Sequence, residues 1–126
     1  MAKKPESPPT ALTDVVPLSI TSAMVSTTND LPGYRVVRGF GVVRGVEVRA
    51  RNLASAVGAV LLAIGGGSSP VFKALLEETR ASALKDMLRS AQAVGGNAVI
   101  GMRYDANQSD GFYMVVAYGT AVYVEL

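Results

Sequence analysis

Two glycine clusters enclose the stretch of this chain that most constrains its fold. Three glycines at 65–67 and a pair at 95–96 flank a segment whose apolar residues recur at spacings of three and four. That periodicity is typical of an amphipathic helix, and Pro70 after a serine pair is a common helix start, as glycine is a common helix end. The sequence therefore predicts a long helix from Pro70 to about Val94, which must bury its apolar stripe against a second layer.

The second layer is predicted to be a sheet. Residues 97–105 and 112–124 have the pattern of a hairpin, with a turn centred near Gln108. In this register Met102 faces Met114, and their face packs against the long helix. The last strand would extend ~40 Å at about 3.3 Å per residue, more than a small sheet needs, so its far end is expected to pair or pack beyond its own subunit.

A valine-rich segment, 34–48, predicts an earlier strand. Gly39, Gly41 and Gly45 interrupt it, and its arginines do not keep one parity, so strict alternation fails and a bulge is expected. A shorter strand is predicted at 24–28.

The stretch 52–64 carries no charge, and Asn52 is a suitable N-cap for a short helix there. A helix that is apolar on every side needs cover on every side, and a neighbouring subunit is the economical source of it. Val57 and Leu61 are therefore expected at an oligomer interface. The order of strand, short helix, long helix and hairpin indicates an α+β fold with the long helix packed on an antiparallel sheet.

Residues 1–22 are predicted to be a proline-rich arm that precedes a single domain at 23–126. Four of the six prolines fall in the first 17 residues, and removal of residues 1–20 is expected to leave a folded oligomer. Prolines and Asp14 interrupt the apolar run that a signal peptide needs, and no continuous helical stretch reaches the ~20 residues of a membrane span. We expect a cytoplasmic protein without membrane insertion.

Composition removes most catalytic chemistry. The chain has no Cys and no His, which excludes a cysteine nucleophile and a histidine base. Lys73 has no serine three residues before it, and Lys85, although Ser82 precedes it at that spacing, lacks the Ser-Asp-Asn and Lys-Thr-Gly motifs that accompany a catalytic Ser-x-x-Lys. Glu77 and Glu78 are adjacent, so on a helix they point about 100° apart and cannot act as a facing acid and base pair. We expect no enzyme activity and no cofactor.

One glycine-rich segment is a candidate ligand site. It comprises Gly65, Gly66, Gly67, Ser68 and Ser69. Backbone N–H groups ahead of a helix can cradle an anion or a small ligand. The segment follows a helix and lacks the lysine and spacing of a phosphate-binding loop, so a plain hinge between helices is the favoured interpretation.

The loop at 105–111 carries oxygen ligands in Asp105, Asn107 and Asp110. A calcium loop of this kind needs glycine where Asp110 stands and a glutamate where Val116 stands. A polar hairpin turn is therefore favoured, and we expect no metal site.

Arginine is concentrated in residues 35–51, which hold five of the eight in the chain. They are Arg35, Arg38, Arg44, Arg49 and Arg51. With Glu47 they give the segment a formal charge of +4 in a chain whose total is +2. Such a segment suits a polyanion, but only Tyr34 and Phe40 are nearby to stack on bases, so solvated or ion-paired arginines are the favoured interpretation.

Several motifs from residue 24 onward resemble those of the YbjQ-like family of small bacterial proteins. They are Ser26-Thr27-Thr28, Gly41-Val42-Val43-Arg44-Gly45, Asn52, Ile64-Gly65-Gly66-Gly67, Phe72, Arg80, the run 91–101 and Gly119-Thr120-Ala121-Val122. The resemblance implies a dodecin-like β-α-α-β-β subunit that assembles into a ring, typically a pentamer. It implies no catalytic residue.

The same family is commonly labelled heavy-metal-binding. Soft metals prefer thiolate, imidazole or clustered thioether ligands, and this chain offers only five methionines. The expected function is a cytoplasmic, pentameric, non-catalytic binding or scaffold protein whose partner is itself, with a small ligand at the glycine-rich turn or between subunits. A nucleic-acid-binding ring that uses Arg35 to Arg51, and metal binding as the label suggests, are the alternatives.

Overall fold

The computed structural model describes residues 17–50, 70–109 and 112–126. These ranges contain strand β1 (Arg35–Ala50), helix α1 (Pro70–Ala93), strand β2 (Ala98–Ser109) and strand β3 (Phe112–Glu125). The strands form one antiparallel sheet in the order β1-β3-β2, and α1 packs on one face. The predicted α+β fold is confirmed. The helix predicted at 52–64, with Val57 and Leu61, lies outside the described residues.

Helix α1 forms as its periodicity predicts. Ala83, Met87 and Ala91 lie one turn apart and are fully buried against the sheet. At the C-terminal end the Gly96 N–H donates to the Ala91 carbonyl at 2.9 Å, and the Gly95 N–H donates to the Gln92 carbonyl at 3.1 Å. Gly95 has a φ of 98°, the left-handed conformation that this type of helix ending requires. No helix in the described ranges is long and apolar enough to cross a membrane.

Strand β1 contains the irregularity that its sequence predicts. Its pairing with β3 shifts between Val36 and Arg38 and again between Gly39 and Gly41. Each shift inserts one residue, so Arg35 and Arg38 face the same side of the sheet despite their opposite parity.

The hairpin register differs from the prediction. Ser109 pairs with Phe112 and Tyr104 pairs with Ala117, so β2 continues past Gln108 and the prediction of a turn centred there is wrong. For the pairs from Arg103 to Ser109 the displacement from the predicted register covers an odd number of residues, so Tyr104 lies on the same face as Ala117 and not on the face of Phe112 as predicted. The residues of β3 beneath α1 are Val115, Ala117 and Ala121, whereas Met114 lies on the opposite face. Small side chains allow the helix to approach closely, and the exposed polar residues Asp105, Asn107 and Gln108 are part of β2.

Strand β3 is the central strand. It pairs with β1 along its whole length, from Phe112 with Ala50 to Glu125 with Arg35. β1 is long enough to supply all of these partners, so strand pairing beyond the subunit is not needed, and packing of the far end against another subunit stays a prediction.

The segment before β1 runs along the outer edge of β2. The strand predicted at 24–28 is a short 3-10 turn, Ser22–Met24, followed by a single parallel bridge between Val25 and Val99. The Ser26 N–H donates to the Val99 carbonyl at 2.9 Å, and the Met102 N–H donates to the Ser26 carbonyl at 3.0 Å. These bonds occupy edge groups of β2 that would otherwise be open to pairing.

Helix α1 crosses β1 at Gly45. A Cβ at this position would meet backbone atoms of the helix, the Ala83 carbonyl oxygen and the Met87 nitrogen first, so only glycine fits without moving the helix. Beside the crossing, Asp86 accepts a hydrogen bond from the Val46 N–H at 3.1 Å, and the Ser90 hydroxyl donates to the Arg44 carbonyl at 3.2 Å. The helix therefore covers part of one face of the sheet and part of its free edge.

Candidate interaction face of the sheet

The face of the sheet opposite α1 is apolar, and we call its uncovered part the open face. Register pairing assigns it four residues from each of β1 and β3 and three from β2. They are Val42, Arg44, Val46 and Val48; Phe112, Met114, Val116 and Tyr118; and Arg103, Asp105 and Asn107. The upper end of the same face is closed by Leu31, which is buried with Val122 and Val124.

Large side chains of the open face are exposed to solvent. Val42 is 71% exposed, Val48 and Phe112 are each 51% exposed, Val46 is 42% and Tyr118 is 40%. Val42, Val46 and Val48 lie on β1, and Phe112 and Tyr118 lie on the adjacent strand β3, so these exposed side chains form one patch. A contiguous exposed apolar patch is a candidate site of contact with another surface.

A polar row crosses the open face. Arg44 and Arg103 pair with Tyr118 from opposite sides, so the tyrosine lies between two arginines. The Nη1 atom of Arg103 donates to the carbonyls of Thr27 and Met102, at 2.8 Å each, which fixes this guanidinium at the sheet edge. The open face is therefore apolar on β1 and β3, with a cationic row at Arg44 and Arg103 and the polar residues Asp105 and Asn107 on β2.

The arginines of β1 do not form one surface within the described residues. Arg35 lies 3.3 Å from Glu125 in an ion pair, and Arg38 stacks over the Phe40 ring at 5.1 Å from its centroid. Both face the α1 side of the sheet, near the C-terminal end of the helix.

The remaining arginines of the segment lie elsewhere. Arg49 is at the other end of the α1 side, where its Nε is 3.4 Å from a Glu47 carboxylate oxygen, an ion pair without hydrogen-bond geometry. Arg44 faces the open side, and Arg51 lies outside the described residues. The register thus places the four described arginines on two faces and at opposite ends of β1.

The other predicted ligand residues are only partly described. The segment Gly65, Gly66, Gly67, Ser68 and Ser69 and the residue Asp110 lie outside the described ranges. Asp105 and Asn107 are exposed residues of β2. No group of three or more His, Cys, Asp or Glu side chains comes together in the part of the chain that the structure describes.

One tyrosine on the α1 side has a perturbed acidity. Burial raises the pKa of the Tyr104 phenol above its ordinary value of 10.0, the Glu77 carboxylate raises that pKa further, and Arg80 lowers it. Arg80 is itself paired with Glu77 at 2.9 Å. The phenol is therefore protonated at neutral pH, which suits a hydrogen-bond donor and not a general base.

Sequence reasoning missed the open face and the role of Gln92. The signal for the open face is the valine series at 42, 46 and 48, which alternates with Val43 and Gly45 beneath the helix. Both sides of this strand are apolar, so alternation alone does not reveal which side is covered. Gln92 carries no sequence signal, because its partners lie more than 70 residues away.

Comparison with known proteins gives a consistent family assignment. A family model described as "Putative heavy-metal-binding", YbjQ_1, matches residues 23–125. A UPF0145 protein of Solibacter usitatus is 50% identical over 101 residues, which cover 79% of this chain and 90% of the relative. A UPF0145 protein of Burkholderia thailandensis is 42% identical over 100 residues, with the same coverage of 79% and 90%.

A solved structure shares the fold. It is a protein of unknown function from Pediococcus pentosaceus, placed in the DUF74 family, with a TM-score of 0.55 and 19% identity. The match covers 80% of this chain and 96% of that one. At this identity the likeness concerns the fold alone.

Proposed function

Since the chain belongs to the YbjQ family, we propose that it is a cytoplasmic, homo-oligomeric, non-catalytic binding or scaffold protein whose subunits pack through the open face. The observation that carries this proposal is the exposure of adjacent Val42, Val46, Val48, Phe112 and Tyr118 on one side of the sheet. Burying that surface is favourable at about 25 cal/mol per Å². A second copy is the one partner of matching chemistry that is always present at equal concentration.

The proposed subunit number is five, in a closed ring. A ring uses two different surfaces of each subunit, one against each neighbour. The open face is one such surface. An edge-to-edge continuation of the sheet is disfavoured where Asp86 and Ser90 occupy groups of β1 and where Ser26 occupies groups of β2.

Native mass spectrometry of the full chain under gentle conditions tests the proposal directly. We expect a single oligomer of five subunits that persists at low micromolar concentration, together with any small ligand held at the glycine-rich turn or between subunits. A protein that is monomeric throughout this range would contradict the proposal. A closed oligomer of another size would retain the scaffold function and correct the subunit number.

Heavy-metal binding finds little support in the side chains. The chain has no Cys or His, and Met87 and Met102, which could offer thioether sulfur, are buried in the apolar cluster beneath α1. Soft metals favour sulfur and imidazole ligands, whereas carboxylates suit calcium and magnesium. The residues present therefore do not fit a soft metal.

Calorimetric titration of metal-free protein tests this disagreement with the family label. We expect zinc and copper to bind no more tightly than to any acidic surface. An oxygen-lined ion site would use Asp105, Asn107 and Asp110 first. Stoichiometric, tight zinc binding that survives replacement of those three residues would restore the metal function.

The nucleic-acid alternative is not favoured. Arg35, Arg38 and Arg49 each have an anionic or aromatic neighbour on the α1 side, and Arg44 lies on the open face. Retention on heparin that is abolished by moderate salt would nevertheless support a polyanion partner.

A further inference from the structure

Residues 17–20, which we call the strap, lie across the C-terminal part of α1. They precede the part of the chain that the family model matches, which begins at residue 23. The strap is attached at one side chain of the helix, Gln92. Its path ends in the short turn Ser22–Met24, after which the chain joins the edge of β2.

The amide of Gln92 contacts the strap three times. Its Oε1 accepts hydrogen bonds from the Ser19 N–H at 2.7 Å and from the Ser19 hydroxyl at 2.9 Å. Its Nε2 donates to the Pro17 carbonyl at 2.9 Å. One side-chain amide thus binds a backbone carbonyl, the backbone N–H two residues later and the Ser19 hydroxyl, so it recognises mainly the backbone of an extended peptide.

Next to Gln92 is an apolar seat for one side chain. Ile20 is 5% exposed and belongs to the buried cluster that includes Met87, Leu88 and Ala91, and Leu18 packs against the same cluster. Pro17 and Ser19 are exposed. The strap therefore lies at the surface, with only one of its four residues buried.

We propose that Gln92 and the seat of Ile20 form a peptide-binding groove, occupied by the strap of the same chain and equally suited to the strap of a second copy. The ligand class is an extended peptide with the chemistry of Pro17 to Ile20. Its carbonyl and N–H two residues apart meet the Gln92 amide, and an aliphatic side chain follows. If two copies exchange their straps, each strap forms with the other copy the contacts that the structure shows within one chain. The exchange therefore leaves the energy of these contacts unchanged.

A full-length variant that releases its own strap tests the groove. Ile20→Asp places a charge in an apolar seat, which detaches the strap while Gln92 stays in place. The probe is a fluorescein-labelled peptide of residues 15–22, followed by fluorescence anisotropy. We expect saturable binding to the Ile20→Asp chain and at least tenfold weaker binding to the unmodified chain, whose groove is already filled.

A second substitution in the variant checks the contacts. Adding Gln92→Leu should weaken peptide binding at least tenfold, because the backbone hydrogen bonds are lost. Gln108→Leu is the matched control, since Gln108 is an exposed residue of β2 distant in sequence from the strap, and it should leave binding unchanged. Absence of saturable binding to Ile20→Asp, or equal binding to the unmodified chain, would overturn the proposal.

A measurement on the intact groove covers the case in which Ile20→Asp does not fold. Hydrogen exchange of the Ser19 amide should be at least tenfold faster in Gln92→Leu than in the unmodified chain, while amides of β3 keep their protection. Gln108→Leu should change neither. Unchanged protection of Ser19 in Gln92→Leu would overturn the proposal, whatever the subunit number of the protein.

Discussion

The two faces of the sheet are both apolar, yet they differ in side-chain size. Under α1 the strands present the small residues Gly45, Ala117 and Ala121 beside Val43 and Val115, and Gly45 is the position where the helix backbone approaches most closely. On the open face they present larger side chains such as Val42 and Tyr118, which are exposed. Small residues are suited to contact within the subunit, whereas large exposed ones are suited to contact with another surface.

This difference teaches that polarity alone does not identify the buried side of this sheet. An antiparallel sheet with one solvated face normally alternates apolar with polar residues. Here both faces are apolar, and the covered face adds small residues such as Gly45, Ala117 and Ala121 to valines of the size found on the open face. The position of α1 identifies the covered face, and the exposed larger residues then mark the surface that is available to a partner.

The sharpest test of the comparison uses two adjacent valines on opposite faces. Val43 is 7% exposed beneath α1, and Val42 is 71% exposed on the open face. Val43→Asp should destabilise the subunit by roughly 3 kcal/mol or more, because a carboxylate is buried without a partner. Val42→Asp should change subunit stability by less than about 0.5 kcal/mol and should abolish assembly.

Urea denaturation of each variant measures stability, and native mass spectrometry measures subunit number. If Val42→Asp keeps the full subunit number, Val42 is not at an interface. If Val43→Asp is as stable as Val42→Asp, the two faces are not distinguished as the structure indicates.

The close approach of α1 at Gly45 can be tested with a single methyl group. Gly45→Ala would place a Cβ against backbone atoms of the helix, including the Asp86 carbonyl carbon at 2.8 Å. Because the helix backbone cannot rotate away as a side chain can, we expect a loss of about 2–3 kcal/mol in urea denaturation. Gly39→Ala is the control, since a Cβ there meets no atom within 4 Å. Similar losses in both variants would mean that helix packing does not set the cost.

How far the sequence predicts this fold depends on how local each signal is. The periodicity and glycine ending of α1 are local, and so is the parity of arginines that predicts bulges in β1. The hairpin register is not, because Asn107 and Gln108 look like turn residues yet extend β2 as exposed strand. The valine pattern predicts which residues share the open face. It does not predict whether that face or the opposite one is covered, because this depends on the position of α1.

The N-terminal boundary shows the same limit of local signals. Proline content predicts an arm through residue 22, and Pro17 supports that interpretation. Ile20, however, is buried, and Gln92 binds the backbone on either side of Leu18. These contacts depend on a helix more than 70 residues away, so composition cannot predict them.

Two truncations measure separately how much residues 1–16 and the strap on the α1 side contribute to stability. Removal of residues 1–16 should change stability by less than about 0.5 kcal/mol. Removal of residues 1–20 should cost about 2–3 kcal/mol, from the lost burial of Ile20 and the lost hydrogen bonds to Gln92. The same variant tests the expectation, drawn from composition, that the chain without residues 1–20 is still a folded oligomer. Thermal unfolding of both truncated chains measures the difference, and equal stability would show that the strap contributes nothing.

The smallest expected effect concerns Tyr104, on the α1 side of β2. Burial and then Glu77 raise its pKa above 10.0, while Arg80 lowers it. A folded-state pKa above the unfolded value means that the native state holds the proton more tightly, so this contribution to stability is complete below pH 10 and decreases as pH rises above it.

Glu77→Gln should move the Tyr104 pKa back toward 10.0, and Arg80→Gln should move it further up. Absorbance titration of the phenol, with Tyr104→Phe to identify its signal, measures both shifts. If Glu77→Gln leaves the Tyr104 pKa unchanged, the Glu77 carboxylate has no electrostatic effect on the phenol. Burial on the covered face then accounts for the whole shift.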